Sequence, residues 1–160
     1  MQIRELAATE APLIARFYRE APHYWLLAEG LVEPERQAAE FFTDAPPNSD
    51  PAQSHRLGLF LMGRLSGVAD VSYGFPDPDD AYLGLMLLGP WAQGCGHGRA
   101  FLAHAETLAR SRGAPRLYLA VLDANPRGRA FWLREGFLPT GLVRQNPETG
   151  QRVERLVKDL

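Results

Sequence analysis

A stretch of alternating glycines, Gln93-Gly94-Cys95-Gly96-His97-Gly98-Arg99, carries the residue types best suited to chemistry in this chain. An apolar run, Tyr82 to Leu88, precedes the stretch, and a helical pattern of apolar residues follows it. A strand, a glycine turn and the start of a helix together expose several backbone N–H groups at the positive end of the helix. Such an arrangement binds phosphate, so the sequence predicts a phosphate-bearing ligand at this turn.

Two common phosphate motifs do not fit the turn. A dinucleotide fingerprint needs a third glycine at position 99, which is arginine, and an acidic ribose ligand close to position 116, which is also arginine. A P-loop needs Gly-Lys-Ser or Gly-Lys-Thr, and neither follows here. The phosphate ligand is therefore expected to be of another kind.

The turn resembles the first signature of the GNAT acyltransferases, in which Arg or Gln is followed by two residues, Gly, one residue, and Gly or Ala. Gln93 to Gly98 fits this pattern at every position. The stretch Asn125 to Phe137 resembles the second signature, in which an Asn begins a helix, an aromatic residue follows seven positions later, and the helix stops at Gly-Phe. The resemblance covers residues 55–160 well and the first 54 residues only in outline.

The resemblance implies an N-acetyltransferase that uses acetyl-CoA as co-substrate and moves the acetyl group directly to an amine in a ternary complex. The pantetheine arm would pair with the exposed edge of the fourth strand, and the pyrophosphate would meet the N–H groups of the glycine turn. Arg99, Arg127 and Arg129 are candidates for the outer phosphates. The residues expected at acetyl-CoA are Met86, Leu87, Leu88, Gln93, Gly94, Cys95, Gly96, His97, Gly98, Arg99, Asn125, Gly128 and Trp132.

Trp132 is the clearest departure from the family pattern, because many members have a tyrosine there that protonates the departing thiolate. An indole N–H is a hydrogen-bond donor but not a usable acid. We expect Trp132 to pack against the thioether end of the cofactor, and a core position is the alternative. Asp70 is the candidate base, because a carboxylate is unexpected in the middle of the apolar strand Val68 to Phe75. The Asp70 side chain faces either the substrate cleft or solvent.

The acceptor side is expected in residues 18–54 and in the loop 76–81, where aromatic and acidic residues are concentrated. Aromatic rings with carboxylates suit a cation, so a small cationic amine is the preferred acceptor. Acetylation of a protein N-terminus or lysine is one alternative, and a non-catalytic acyl-CoA-binding sensor is another. The candidate substrate-binding residues are Tyr24, Trp25, Tyr73 and Tyr82.

The elements that position these residues form a mixed pattern. The apolar periodicities predict the order strand, helix, helix, three strands, helix, strand, helix, two strands. A strand–helix–strand crossover within an otherwise hairpin-linked series indicates an α/β fold with helices on both faces of the sheet. The resemblance implies a mostly antiparallel sheet of six to seven strands, with strands four and five splayed apart.

Composition bounds the remaining expectations. The 160 residues suggest one domain, and 46% apolar with 22% charged residues is typical of a soluble globular protein. No apolar run is long enough to cross a membrane, and the basic residues are too scattered for nucleic acid. Cys95 is the one cysteine, and with no signal-peptide core at the amino terminus it indicates a cytoplasmic protein. No metal is expected, and a homodimer is compatible with the sequence.

Overall fold

The computed structural model describes all 160 residues as seven strands and five α-helices, joined by turns and three short 3₁₀ turns. The strands are β1 (Gln2–Glu5), β2 (His55–Leu61), β3 (Arg64–Tyr73), β4 (Ala81–Leu88), β5 (Arg116–Leu122), β6 (Leu138–Gln145) and β7 (Arg152–Asp159). The helices are α1 (Ala11–Glu20), α2 (His23–Glu29), α3 (Pro34–Thr43), α4 (His97–Ser111) and α5 (Pro126–Arg134). The predicted element order is confirmed, with α2 as an additional helix.

The strands form one sheet in the order β1-β2-β3-β4-β5-β7-β6. All neighbours are antiparallel except β4 and β5, which run parallel and are joined by α4. Their pairing stops after two residue pairs, Ala81 with Leu117 and Tyr82 with Tyr118. The two strands therefore separate beyond Tyr82, and the predicted mixed sheet of six to seven strands, with strands four and five splayed, is confirmed with seven strands.

Each face of the sheet has its own core. One face is covered by α1 and α3, whose buried apolar residues pack with Leu65 and Val68 of β3. The other face is covered by α4, whose buried stripe is Phe101, Leu102, Ala105 and Ala109. Because neighbouring residues of a strand point to opposite faces, Asp70 lies on the α1–α3 side with Val68, and Tyr73 lies on the α4 side with Val71.

The sequence Gly63-Arg64-Leu65-Ser66-Gly67 favours a hairpin turn over its whole length, and this prediction is wrong. The turn expected over residues 63–67 is only two residues long, because Met62 and Gly63 both adopt positive φ and Arg64 already pairs with Leu61. The aromatic run that begins at His23 is a helix of seven residues that stops at Gly30. No helix is long and apolar enough to span a bilayer.

Candidate active site

The separation of β4 from β5 opens a cavity of about 1000 Å³. Leu83–Leu88 of β4 line one wall, and Leu119–Val121 of β5 line the opposite wall. The glycine turn and α5 close its outer end. Past Tyr82 the β4 peptide groups on this side face the cavity instead of a neighbouring strand, so they are free to pair with an extended ligand.

The glycine turn presents a row of free backbone donors. None of the N–H groups from Gly94 to Arg99 donates to a backbone carbonyl, and the first bonded amide of α4 is that of Ala100. Gly94 and Gly96 have φ of 79° and 84°, which side chains rarely adopt. A Cβ at Gly98 would lie 3.3 Å from Leu88 Cδ1, so the turn also depends on glycine for its close approach to β4. This cradle fits the diphosphate of a nucleotide-bearing ligand.

The Asn125 and Trp132 side chains form the wall at α5. Asn125 is the helix N-cap, and its Oδ1 accepts a 3.0 Å hydrogen bond from the Gly128 N–H. Trp132 is packed edge-on between Phe131 and Phe137, with ring centroids 4.9 and 5.5 Å away. It belongs to the buried core and also lines the large cavity, so the two interpretations of Trp132 coexist.

A second cavity of about 440 Å³ lies on the α1–α3 side of the sheet. Tyr24, Gly84 and Leu85 line both cavities, so the two meet at the middle of β4. The second cavity is walled by aromatic and charged side chains, and Asp70 lies among them. A reacting group from each cavity could therefore meet at this junction.

Asp70 is 8% exposed in this junction. Burial raises the pKa of its carboxyl to about 7, while Arg56 opposes the rise and Asp44 adds to it. The Arg56 guanidinium is also buried, and its Nη1 lies 3.9 Å from Asp70 Oδ2, which is longer than a hydrogen bond. A carboxylate that titrates near neutrality can accept a proton from a bound substrate.

The tyrosines around Asp70 stay protonated. Burial, with Asp70 as the next contributor, raises the pKa of Tyr24 to about 12. The same two causes raise the pKa of Tyr18, which is fully buried. The Tyr18 hydroxyl and the Trp25 Nε1 are buried and lack a hydrogen-bond partner, although both residues line the second cavity. Their donors are therefore available to a ligand.

Comparison with known proteins identifies this arrangement. The model of the acetyltransferase (GNAT) family matches residues 11–137, which is most of the chain. The chain belongs to this family. It is an acyltransferase, and the GNAT family uses acetyl-CoA as its acyl donor. The non-catalytic sensor alternative is therefore not retained.

Individual relatives agree with the family. A mycothiol acetyltransferase of Beutenbergia cavernae is 40% identical over 70 residues, which span 42% of this chain and 24% of that protein. The match thus covers about a quarter of the relative's length. An acetyltransferase from Thermus thermophilus superposes with a TM-score of 0.75 at 27% identity, covering 99% of this chain and 96% of the other. A PaiA N-acetyltransferase from Thermoplasma acidophilum, solved with coenzyme A, has the same fold, with a TM-score of 0.70, 19% identity and coverage of 99% and 98%.

The residues predicted to contact acetyl-CoA line the large cavity with two exceptions. The side chain of Cys95 is exposed, and neither Cys95 nor His97 lines the cavity, so these two residues offer only backbone groups at the turn. Arg99 and Arg127 line the cavity, whereas Arg129 is held by Glu154 at 2.9 Å. The predicted cofactor residues that line it are Met86, Leu87, Leu88, Gln93, Gly94, Gly96, Gly98, Arg99, Asn125, Gly128 and Trp132.

Of the four predicted acceptor residues, three line the second cavity and one does not. Tyr24, Trp25 and Tyr82 line the second cavity with Asp70. Tyr73 does not, because its position in β3 points it to the α4 face, where the Arg112 guanidinium stacks 4.1 Å from its ring. Sequence reasoning missed Gly84, whose role depends on a bulge, and Arg155, which comes from the distant strand β7. No group of three or more His, Cys, Asp or Glu residues is placed to hold a metal ion.

Proposed function

We propose that this chain is an N-acetyltransferase that moves the acetyl group of acetyl-CoA directly to a primary amine of a small cationic acceptor. The observation that carries the proposal is the position of Asp70, a buried carboxyl of pKa about 7 where the two cavities meet. The large cavity would hold acetyl-CoA, and the second cavity would hold the acceptor.

The β4 edge and the glycine turn are suited to the two ends of the donor. Met86, Leu87 and Leu88 would offer peptide groups to the pantetheine amides, and the free N–H groups of Gly94 to Arg99 would meet the pyrophosphate. Each helix-end charge interaction contributes about 0.3–1 kcal/mol, so donor affinity is spread over strand pairing, turn and arginines. When bound, acetyl-CoA supplies an acetyl group activated as a thioester.

Proton transfer would run through Asp70. The amine nitrogen forms a bond to the acetyl carbon while the carbon–sulfur bond breaks, and the proton lost by the amine goes to the Asp70 carboxylate. General base catalysis of this kind contributes about 10²–10⁴-fold. CoA leaves as a thiolate that solvent protonates, which agrees with Trp132 standing where many relatives have a tyrosine.

The surroundings of the second cavity favour a small cation over a protein substrate. Glu40, Asp44 and Asp70 line it against one arginine. The Gln151 Nε2 donates a 2.9 Å hydrogen bond to the Leu27 carbonyl and so links the β6–β7 turn to α2. The second cavity is walled by Tyr24 and Trp25 of α2 and by Arg155 of β7, the strand that follows this turn. The link would therefore limit how far these walls can separate to admit an extended peptide.

The proposal is tested by mixing the protein with acetyl-CoA and a panel of amines and measuring the free thiol released. Small diamines should release thiol at a rate that saturates with amine, and mass spectrometry should find one acetyl group on the amine. Lysine-containing peptides and small amines of net negative charge serve as comparisons. Thiol release only with peptides would favour the protein-acetylating alternative, and equal turnover of anionic and cationic acceptors would contradict the preference for a cation.

A further inference from the structure

Arg155 is an unpaired cation in the wall of the second cavity. It is half-buried, and its guanidinium lies 4.9 Å from the ring centroid of Phe75. Arg152 and Lys158, the other cations of β7, are both held by carboxylates, whereas Arg155 forms no ion pair. A guanidinium that is partly withdrawn from water and has no anion beside it is suited to an anionic group of a ligand.

The cavity wall also offers hydrogen-bond donors that nothing in the protein uses. The Tyr18 hydroxyl is fully buried and unpartnered. The Trp25 Nε1 is likewise buried and unpartnered, and both residues line the cavity. Leaving a buried donor unsatisfied costs about 1–3 kcal/mol, so these groups indicate ligand oxygen atoms in the same cavity.

Charges of opposite sign line this cavity without pairing with each other. Asp70 lies beside Gly84, which lines both cavities, and Asp44 also lines the second cavity. Tyr82 lines the same cavity and is close enough to feel both signs, since burial raises its pKa while Arg155 lowers it and Asp70 raises it. A ligand that reaches from Asp70 to Arg155 would meet a carboxylate at one end and a guanidinium at the other.

We propose that the acceptor carries a carboxylate as well as amines, and that Arg155 binds this carboxylate while the amine to be acetylated lies at Asp70. The planar fork of arginine matches a carboxylate with two parallel hydrogen bonds, and the acidic wall accommodates the amines. A small diamino carboxylate is the class of molecule that satisfies both ends. This inference rests on the proposed function, because it concerns the acceptor of the same site.

The test compares acceptors that differ only in the carboxylate. The first set is lysine, its methyl ester and cadaverine, which share two amines on chains of the same length, and of which only lysine has a free carboxylate. Ornithine and putrescine form a second pair that differs in the same way. Wild-type kcat/KM should be about 10- to 100-fold higher for the amino acid than for its ester or diamine. Aminoalkyl phosphates test whether phosphate can replace the carboxylate at the same arginine.

The matched variants assign the preference to Arg155. Arg155→Gln should remove most of the roughly 10- to 100-fold preference, chiefly by lowering kcat/KM for the amino acid, and Arg155→Lys should keep only part of it. Arg144→Gln is the control, because Arg144 is an exposed cation that also acts on Tyr82 but does not line the cavity. Arg144→Gln should retain the full preference.

Failure of this inference is distinguishable from failure of the proposed function. Equal turnover of lysine and cadaverine by the wild type would overturn the carboxylate subsite and leave the N-acetyltransferase intact. A preference that survives in Arg155→Gln would also overturn it. If no amine releases thiol, the proposed function fails. Calorimetric binding of lysine that is lost in Arg155→Gln would even then support the carboxylate subsite. If lysine also does not bind, the carboxylate subsite and the proposed function are both overturned.

Discussion

Gly84 lies so close to Asp70 that no other residue fits at position 84 without moving the carboxylate. A Cβ at Gly84 would overlap Oδ1 of Asp70 and lie 3.2 Å from its Cγ. The approach is made by a β-bulge, since Asp70 pairs with Leu85 and Val71 with Leu83, which leaves Gly84 as the extra residue. The backbone amide of Gly84 also lies close enough to the Asp70 carboxyl to oppose the rise of its pKa.

Gly84→Ala should lower kcat by roughly 100-fold, because a catalytic group displaced by about 1 Å costs on that order. The KM for acetyl-CoA should change little, because the glycine turn and Leu88 are not touched. Steady-state kinetics of the variant give both constants. If Gly84 acts through Asp70, adding Gly84→Ala to the Asp70→Asn variant should have almost no further effect on kcat. A further loss of about 100-fold in the double variant would mean that Gly84 acts independently of Asp70.

Asp70 should give the reaction a rising pH dependence with an apparent pKa near 7. Below this pH the carboxyl is protonated and cannot accept a proton from the amine, so kcat/KM should rise through about pH 6–8. Any further rise at higher pH would come from the ionisation of the amine itself. Asp70→Asn should remove the step near pH 7 and lower the plateau by about 10²–10⁴-fold. An Asn variant that keeps the wild-type profile would exclude Asp70 as the base.

The fold was predictable from local patterns. The apolar alternation of β2 and β3, the stripe of α4 and the glycine stops each reflect contacts within a short stretch of chain. The splay of β4 from β5 came only from the resemblance, because a gap between two strands leaves no periodicity in either. The short turn at Met62 and Gly63 was missed since Met rarely adopts positive φ, here 49°.

In the candidate site, too, the parts built from contiguous residues were predictable and the parts built from distant residues were not. The donor cavity depends on two contiguous motifs, and the sequence indicated the β4 edge, the glycine turn and the α5 residues that line it. The acceptor cavity gathers Tyr24, Asp70 and Arg155 from α2, β3 and β7, and their meeting is a tertiary fact. Tyr73 was placed wrongly because a strand alternates its faces, so two residues of β3 an odd number apart cannot both face one cavity.

Asn125 should contribute to stability through its cap rather than through the ligand alone. Loss of the hydrogen bond from the Gly128 N–H in Asn125→Ala should cost about 1 kcal/mol and lower Tm by roughly 2–4 °C. Asn125→Asp and Asn125→Ser retain a capping oxygen and should lose much less. Thermal unfolding without ligand measures this effect. Equal loss in all three variants would show that the cap is not what Asn125 supplies.

Tyr24 is the hydroxyl placed where the two cavities meet, and we predict that it does not protonate the departing thiolate. Its pKa is raised to about 12, whereas a thiol has a pKa of about 8.5. Proton transfer from Tyr24 to the thiolate would therefore be uphill by about 5 kcal/mol, at about 1.36 kcal/mol per pKa unit. The thiolate can instead leave unprotonated and take its proton from hydronium or a buffer acid in solution, which is favourable below the thiol pKa of about 8.5.

Tyr24→Phe should consequently lower kcat by only about 2- to 10-fold, the effect of one lost hydrogen bond. The step near pH 7 should persist, because Asp70 remains, and its apparent pKa should fall slightly as the cavity admits more water. Trp132→Tyr, which introduces the residue common in relatives, should likewise not raise kcat by more than a few fold if thiolate release needs no acid. A loss of about 10²-fold or more in Tyr24→Phe, restored by Trp132→Tyr in the double variant, would instead establish Tyr24 as the acid.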